Sequence, residues 1–152
     1  MRRFAIFLTM AVALGAGPAL ADARGAEVEA VMREYLRLWN AHDAGAITDH
    51  IYRFDGPNPS STKAGLQAQF DQLKAQGYDH SDLASLEACV IGKDLGVAQM
   101  RFSRLRTDGT ALPPKDRASL YVLKRFPDGW RITQLLGMSA SASVACTSVA
   151  AP

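Results

Sequence analysis

The stretch Val31-Met32-Arg33-Glu34-Tyr35-Leu36-Arg37-Leu38-Trp39-Asn40-Ala41-His42-Asp43-Ala44-Gly45-Ala46-Ile47 spells a helix, a corner and the start of a second helix. Val28, Val31, Met32, Tyr35, Leu36, Leu38 and Trp39 recur at spacings of three and four, which is one apolar face of a helix. Glu27, Glu29, Arg33, Glu34 and Arg37 fill the other positions, so the spacing predicts a helix from about Glu27 to Ala41. Asp43 is suited to cap a short second helix, about Ala44 to His50, by accepting from its first turn. Ile47 and Ile51 then mark the buried side of that helix.

Toward the C-terminus, Tyr52-Arg53-Phe54 reads as a brief strand, and Gly56-Pro57-Asn58-Pro59-Ser60 as a loop. Leu66, Phe70 and Leu73 are the apolar stripe of a third helix, about Thr62 to Gln76, with Gly77 placed to close it. The periodicity then changes. Leu86–Ile91, Leu95–Leu105, Arg117–Phe126 and Trp130–Met138 read as strands, punctuated by Gly92-Lys93-Asp94, Asp108-Gly109 and Pro127-Asp128-Gly129. Three helices followed by an antiparallel meander make an α+β domain with its helices on one face of the sheet.

Upstream of the first helix, Met1-Arg2-Arg3 leads into an apolar run from Phe4 to Ala16, then Pro18 and Ala19-Leu20-Ala21. A positive start, a short apolar core and an A-x-A site are the parts of a secretory signal. The core is about 13 residues, short of the roughly 20 that span a bilayer. Cleavage is expected after Ala21, and the mature domain is expected in the periplasm or outside the cell. Of the 152 residues, 152 − 21 = 131 remain; two arginines and no acids leave, so 17 basic residues become 15 against 15 acidic. A neutral domain offers no electrostatic reason to bind nucleic acid or anionic lipid. Residues 22–138 form the domain, and the uncharged stretch 139–152 is expected to be a flexible tail. Two cysteines, Cys89 and Cys146, remain in an oxidising compartment. They either pair, tethering the tail, or stand as a buried Cys89 and a loose Cys146.

The helix–corner–helix stretch resembles the opening of the NTF2-like, or SnoaL-like, superfamily. Leu120-Tyr121-Val122-Leu123-Lys124-Arg125-Phe126-Pro127-Asp128-Gly129-Trp130-Arg131-Ile132 resembles its last hairpin. The agreement in order and length spans roughly residues 27–138. The resemblance implies a cone-shaped roll in which a curved antiparallel sheet wraps a long helix around a cavity. Its members include ketosteroid isomerase, scytalone dehydratase, limonene epoxide hydrolase, polyketide cyclases and modules without chemistry, so the fold alone licenses no activity.

Tyr35 has two readings. The resemblance places it where the isomerase keeps an oxyanion-stabilising tyrosine; its spacing makes it a core residue of the apolar stripe. Asp55 lies near the position of the isomerase's proton-shuttling aspartate, and equally reads as a turn residue before Gly56-Pro57. The strand matching the isomerase's acid donor, Arg117 to Phe126, contains no acid; Ser119 and Tyr121 are polar members of it. Arg101, Arg104 and Arg106 cluster, and Arg104 shares its strand face with Met100 and Phe102, so an inward Arg104 would seek a carboxylate on the protein or on a ligand. His42, His50 and His80 have no zinc spacing. Trp39, His50, Phe54, Arg104 and Tyr121 are the expected pocket lining. Neither a metal nor a cofactor is expected.

Three functions compete: a pocket for a small, largely apolar ligand; a lyase or isomerase using Tyr35 and Asp55; and an envelope accessory protein that pairs into a homodimer through the open sheet face.

Overall fold

The computed structural model describes the backbone of residues 17–144 and side chains from Arg24 onward. The expected leader, 1–21, lies outside that range except for its last residues, and so does the far end of the tail, with Cys146.

Helix α1 runs from Gly17 to Asn40. It begins earlier than the apolar stripe alone predicts. The alanine-rich lead has high helix propensity. Val28, Met32, Tyr35, Leu38 and Trp39 are buried. Asn40 turns the chain: its side-chain oxygen accepts from the Ser81 N–H at 2.9 Å, and its side-chain amide donates to the Ser81 carbonyl at 3.0 Å. Asp43 caps the next helix as expected, accepting from the Ala46 N–H at 2.9 Å. That helix is shorter than predicted. Its α-helical part, α2, is Ala44–Ala46, and Ile47–Ile51 continues as a π-helical turn that buries Ile47 and Ile51. After a 3-10 turn, Pro59–Ser61, helix α3 covers Lys63–Ala75, capped by Thr62. Gly77 ends it at φ 84°, the left-handed region that glycine enters without penalty.

The sheet has four antiparallel strands in sequence order: β1 Tyr78–Ile91, β2 Leu95–Arg106, β3 Arg117–Phe126 and β4 Gly129–Met138. The last three match the sequence reading closely. The first is much longer. Asp79-His80-Ser81-Asp82 is too polar to read as a strand, yet it pairs along β2, with Ser81 opposite Arg104 and Asp82 opposite Ser103. Tyr52 makes an isolated parallel bridge to Ile132 beside the outer edge of β4, so the brief strand predicted there is a single pairing.

Register assigns the faces, since residues paired across strands share one. Gly96, Ala98, Met100, Phe102 and Arg104 of β2 face the helices with Ser119, Tyr121 and Leu123 of β3. Gly96 lets α1 approach: a Cβ there would lie 2.9 Å from Val28 Cγ2. The last hairpin is tied to α1 by Trp130 Nε1, which donates to Glu27 at 2.9 Å.

The opposite face carries Val97, Gln99 and Arg101, and across from them Val122, Leu120 and Ala118. The beginning of the expected flexible tail crosses it. Gln99 donates to the Ala142 carbonyl at 2.7 Å and accepts from the Val144 N–H at 2.8 Å, while Arg101 donates to the carbonyls of Ala140 and Ala142. Cys89 lies half-buried on this face opposite Val97 and is not a free thiol. The choice between a bridge to Cys146 and a loose Cys146 turns on a residue outside the described range.

Candidate functional site

Between α1, the 3-10 turn, α3 and the inner face of β2–β4 lies a slot. Its walls are Leu36, Trp39, Met100, Phe102 and Leu135; Ser60, Gln69, Ser81, Ser119 and Arg104 supply polar atoms. Tyr35, Tyr52 and Tyr121 complete the lining. The hollow has a cavity volume of about 60 Å³. A few solvent molecules fit there. The slot is narrow but not filled by its own side chains.

The three tyrosines form one buried cluster. Tyr52 donates to the Tyr35 hydroxyl at 3.1 Å. Tyr35 stands edge-on to Tyr121, ring centres 5.4 Å apart. Burial is the main reason all three hydroxyls hold their protons above the ordinary tyrosine range; Tyr52 raises Tyr35 further, and Tyr35 in turn raises Tyr121. Arg104 acts in the opposite sense on Tyr35 and Tyr121, without outweighing burial. The cluster is therefore a set of neutral hydroxyls.

Arg104 stands at one side of the slot with its guanidinium 5.8 Å from the Trp39 ring centre and 5.9 Å from that of Tyr78. No ion pair involves it among the described residues, and its Nε is buried without a hydrogen-bond partner.

Of the residues expected to line the pocket, Trp39, Arg104 and Tyr121 do so, together with Tyr35. The structure separates the others. Asp55 is exposed beyond the edge of β4, where Lys124 Nζ lies 2.6 Å from its carboxylate. It borders a shallow neighbouring groove with Phe54, Pro57, Gln134 and Leu136. The reason is local: the Asp55 N–H bonds to the Thr133 carbonyl and the Arg53 N–H to that of Ile132, so the chain after Tyr52 runs alongside β4, away from the slot. Tyr35 and Asp55 thus share no cavity. Phe54 packs on the outer side of Tyr52, ring centres 4.7 Å apart. His50 is exposed on the π-helical turn. Among the described residues no cluster of side chains could hold a metal ion.

Tyr52 and Gln69 escaped the sequence reading. Tyr52 looked like a strand residue, and its role comes from the π-helical turn that aims it at Tyr35. Gln69 lies on the polar side of α3, where nothing in the pattern distinguishes it from a solvated glutamine.

Comparison with known proteins agrees with this architecture. The model of a family described as NTF2-like protein (DUF6841) matches residues 29–139. An NTF2-like protein with a cystatin-like fold from Novosphingobium aromaticivorans superposes with a TM-score of 0.56 at 23% identity, over 78% of this chain and 82% of that one. A protein provisionally assigned as a dehydratase of the NTF2-like family from Streptomyces avermitilis gives 0.55 at 13% identity, over 75% and 94%. A provisionally assigned calcium/calmodulin dependent protein kinase II association domain from Xanthomonas campestris gives 0.53 at 16%, over 86% and 96%. At these identities the likeness is one of fold. No curated protein matches the chain at a significant level.

Proposed function

This chain belongs to the NTF2-like family DUF6841, and from that premise we propose that it is an exported protein whose slot binds a small, largely apolar ligand without transforming it. The observation that carries this reading is the slot's lining: aromatic and aliphatic walls with a few convergent polar groups, and no carboxylate or histidine among them. That is the usual make-up of a binding pocket. A proton-transfer site needs a group that gains or loses a proton near the working pH. The tyrosines are held protonated, and Asp55 opens elsewhere, so the Tyr35–Asp55 isomerase arrangement lacks its base. Export rests on the leader at residues 1–21; among the described residues no helix is long and apolar enough to cross a membrane.

Native mass spectrometry of the protein isolated from its own host tests the reading. The expected result is a chain beginning at Asp22 that carries a small adduct released on denaturation. A chain that is always bare, in a slot that also takes up no added aromatic probe, would overturn the ligand assignment. A mature chain retaining Met1 would overturn export.

The open sheet face supports a second reading, a homodimer. Leu120 and Leu136 lie opposite one another there, and Leu136 is 48% exposed. Among the described residues the tail segment lies over Gln99 and Arg101, and a partner copy would pack on the β3–β4 side.

A further inference from the structure

Strand register brings two arginines together beside the slot. Phe102, which lines it, pairs directly with Arg117 across β2 and β3. Arg104 lies two residues beyond Phe102 on the same face, so Arg104 and Arg117 are diagonal neighbours on the slot side of the sheet. Both Nε atoms are buried and neither has a hydrogen-bond partner. Neither guanidinium forms an ion pair among the described residues, although five other arginines there do. Arg117 gives one terminal nitrogen to the Pro113 carbonyl at 2.6 Å. The rings around Arg104 lie at the outer limit of cation–π range, so they flank its charge without replacing a counter-ion. Burial, and secondarily the charge of Arg104, make the protonated form of Arg117 less favourable than usual. Two adjacent cations with unused buried donors are costly unless something negative completes them.

We propose that Arg104 and Arg117 are the head-group seat of the slot, and that its ligand is a small monocarboxylate with an apolar body of about one aromatic ring. A carboxylate matches the planar donor fork of arginine and takes the unused N–H groups. Its apolar body lies against Trp39, Met100 and Phe102, with its far end toward the neutral hydroxyls of Tyr35, Tyr52 and Tyr121. The inference deepens the reading of the slot as a ligand pocket and rests on it. It also assigns a binding role to Arg117, which starts β3 beside the slot without being part of its lining.

The test compares phenylacetate with the isosteric, uncharged phenylacetamide on the mature protein, by calorimetry or by chemical-shift changes of the slot residues. Phenylacetate is expected to bind at least about tenfold more tightly, the scale of a charge-assisted hydrogen bond. Arg104→Gln and Arg117→Gln should each reduce that preference, Arg104→Lys should restore part of it, and Arg53→Gln, at an exposed arginine outside the slot, should leave it unchanged. The wild-type comparison stands even if a variant fails to fold. Equal binding of acid and amide would overturn the head-group assignment while leaving the pocket reading intact. Binding of neither would overturn both. If inorganic phosphate binds the arginines as tightly as phenylacetate does, the apolar-body part of the proposal falls.

Discussion

Tyrosine ionisation gives the most direct residue-scale test of the interior. The chain has four tyrosines, Tyr35, Tyr52, Tyr78 and Tyr121, and burial pushes every one of them upward from about 10. A raised folded-state value means that the native protein keeps protons the unfolded chain loses, so the stabilisation is complete below the unfolded value and declines as pH rises from about 10 toward the folded values. The expected outcome is an alkaline unfolding transition in which the tyrosinate absorbance band appears together with loss of structure. A tyrosinate band developing near pH 10 in a still-folded protein would contradict the buried cluster. Asn40 is a second such position. Replacing it with alanine removes both bonds to the Ser81 backbone, and the loss should be about 1–3 kcal/mol in denaturant unfolding. Sequence made Tyr35, Trp39, Arg104 and Tyr121 visible because strand and helix periodicity reveal facing. It misplaced Asp55 and Phe54, because the path of the chain along β4 depends on backbone bonds to Ile132 and Thr133 that no local pattern encodes, and His50, which the π-helical turn leaves exposed.

Elements in this fold are positioned by close backbone approach as well as by side-chain packing. Gly65, in the first turn of α3, illustrates it: a Cβ there would lie 1.8 Å from the Pro59 carbonyl oxygen. Helix propensity alone would favour alanine by about 1 kcal/mol. The contact with the 3-10 turn reverses the sign, and Gly65→Ala should lower stability by about 1–3 kcal/mol in thermal or urea melts and displace Ser60 at the slot. A neutral or stabilising result would show that the turn moves freely. The helices and the last three strands were legible at this scale from caps, turns and alternation. The early part of β1 was not, because Asp79 and Asp82 are exposed polar residues whose strand conformation comes from pairing with β2.

The whole molecule is closed by contacts distant in sequence. The tail from Ser139 to Val144 lies over the sheet through Gln99 and Arg101, on the face that carries Cys89. If Cys89 and Cys146 are joined, unreduced mature protein should show no thiol after denaturation, and reduction should cost up to about 4 kcal/mol, the loop-closure scale for such a span; one reactive thiol per cysteine in unreduced protein would exclude the bridge. Sedimentation should detect a homodimer that Leu136→Glu dissociates, whereas a monomer at all concentrations would remove the β3–β4 face as an interface. Composition, periodicity and turn chemistry determined the α+β class, the helix and strand order, and the shared face of Met100, Phe102 and Arg104 on β2, because each of these follows from neighbours within a few residues. Which polar groups converge on one hollow was decided only when the helices packed against the sheet. Bringing Arg104 beside Arg117, and turning Asp55 outward onto Lys124, depends on the register and path of distant segments, and local spacing carries no information about either.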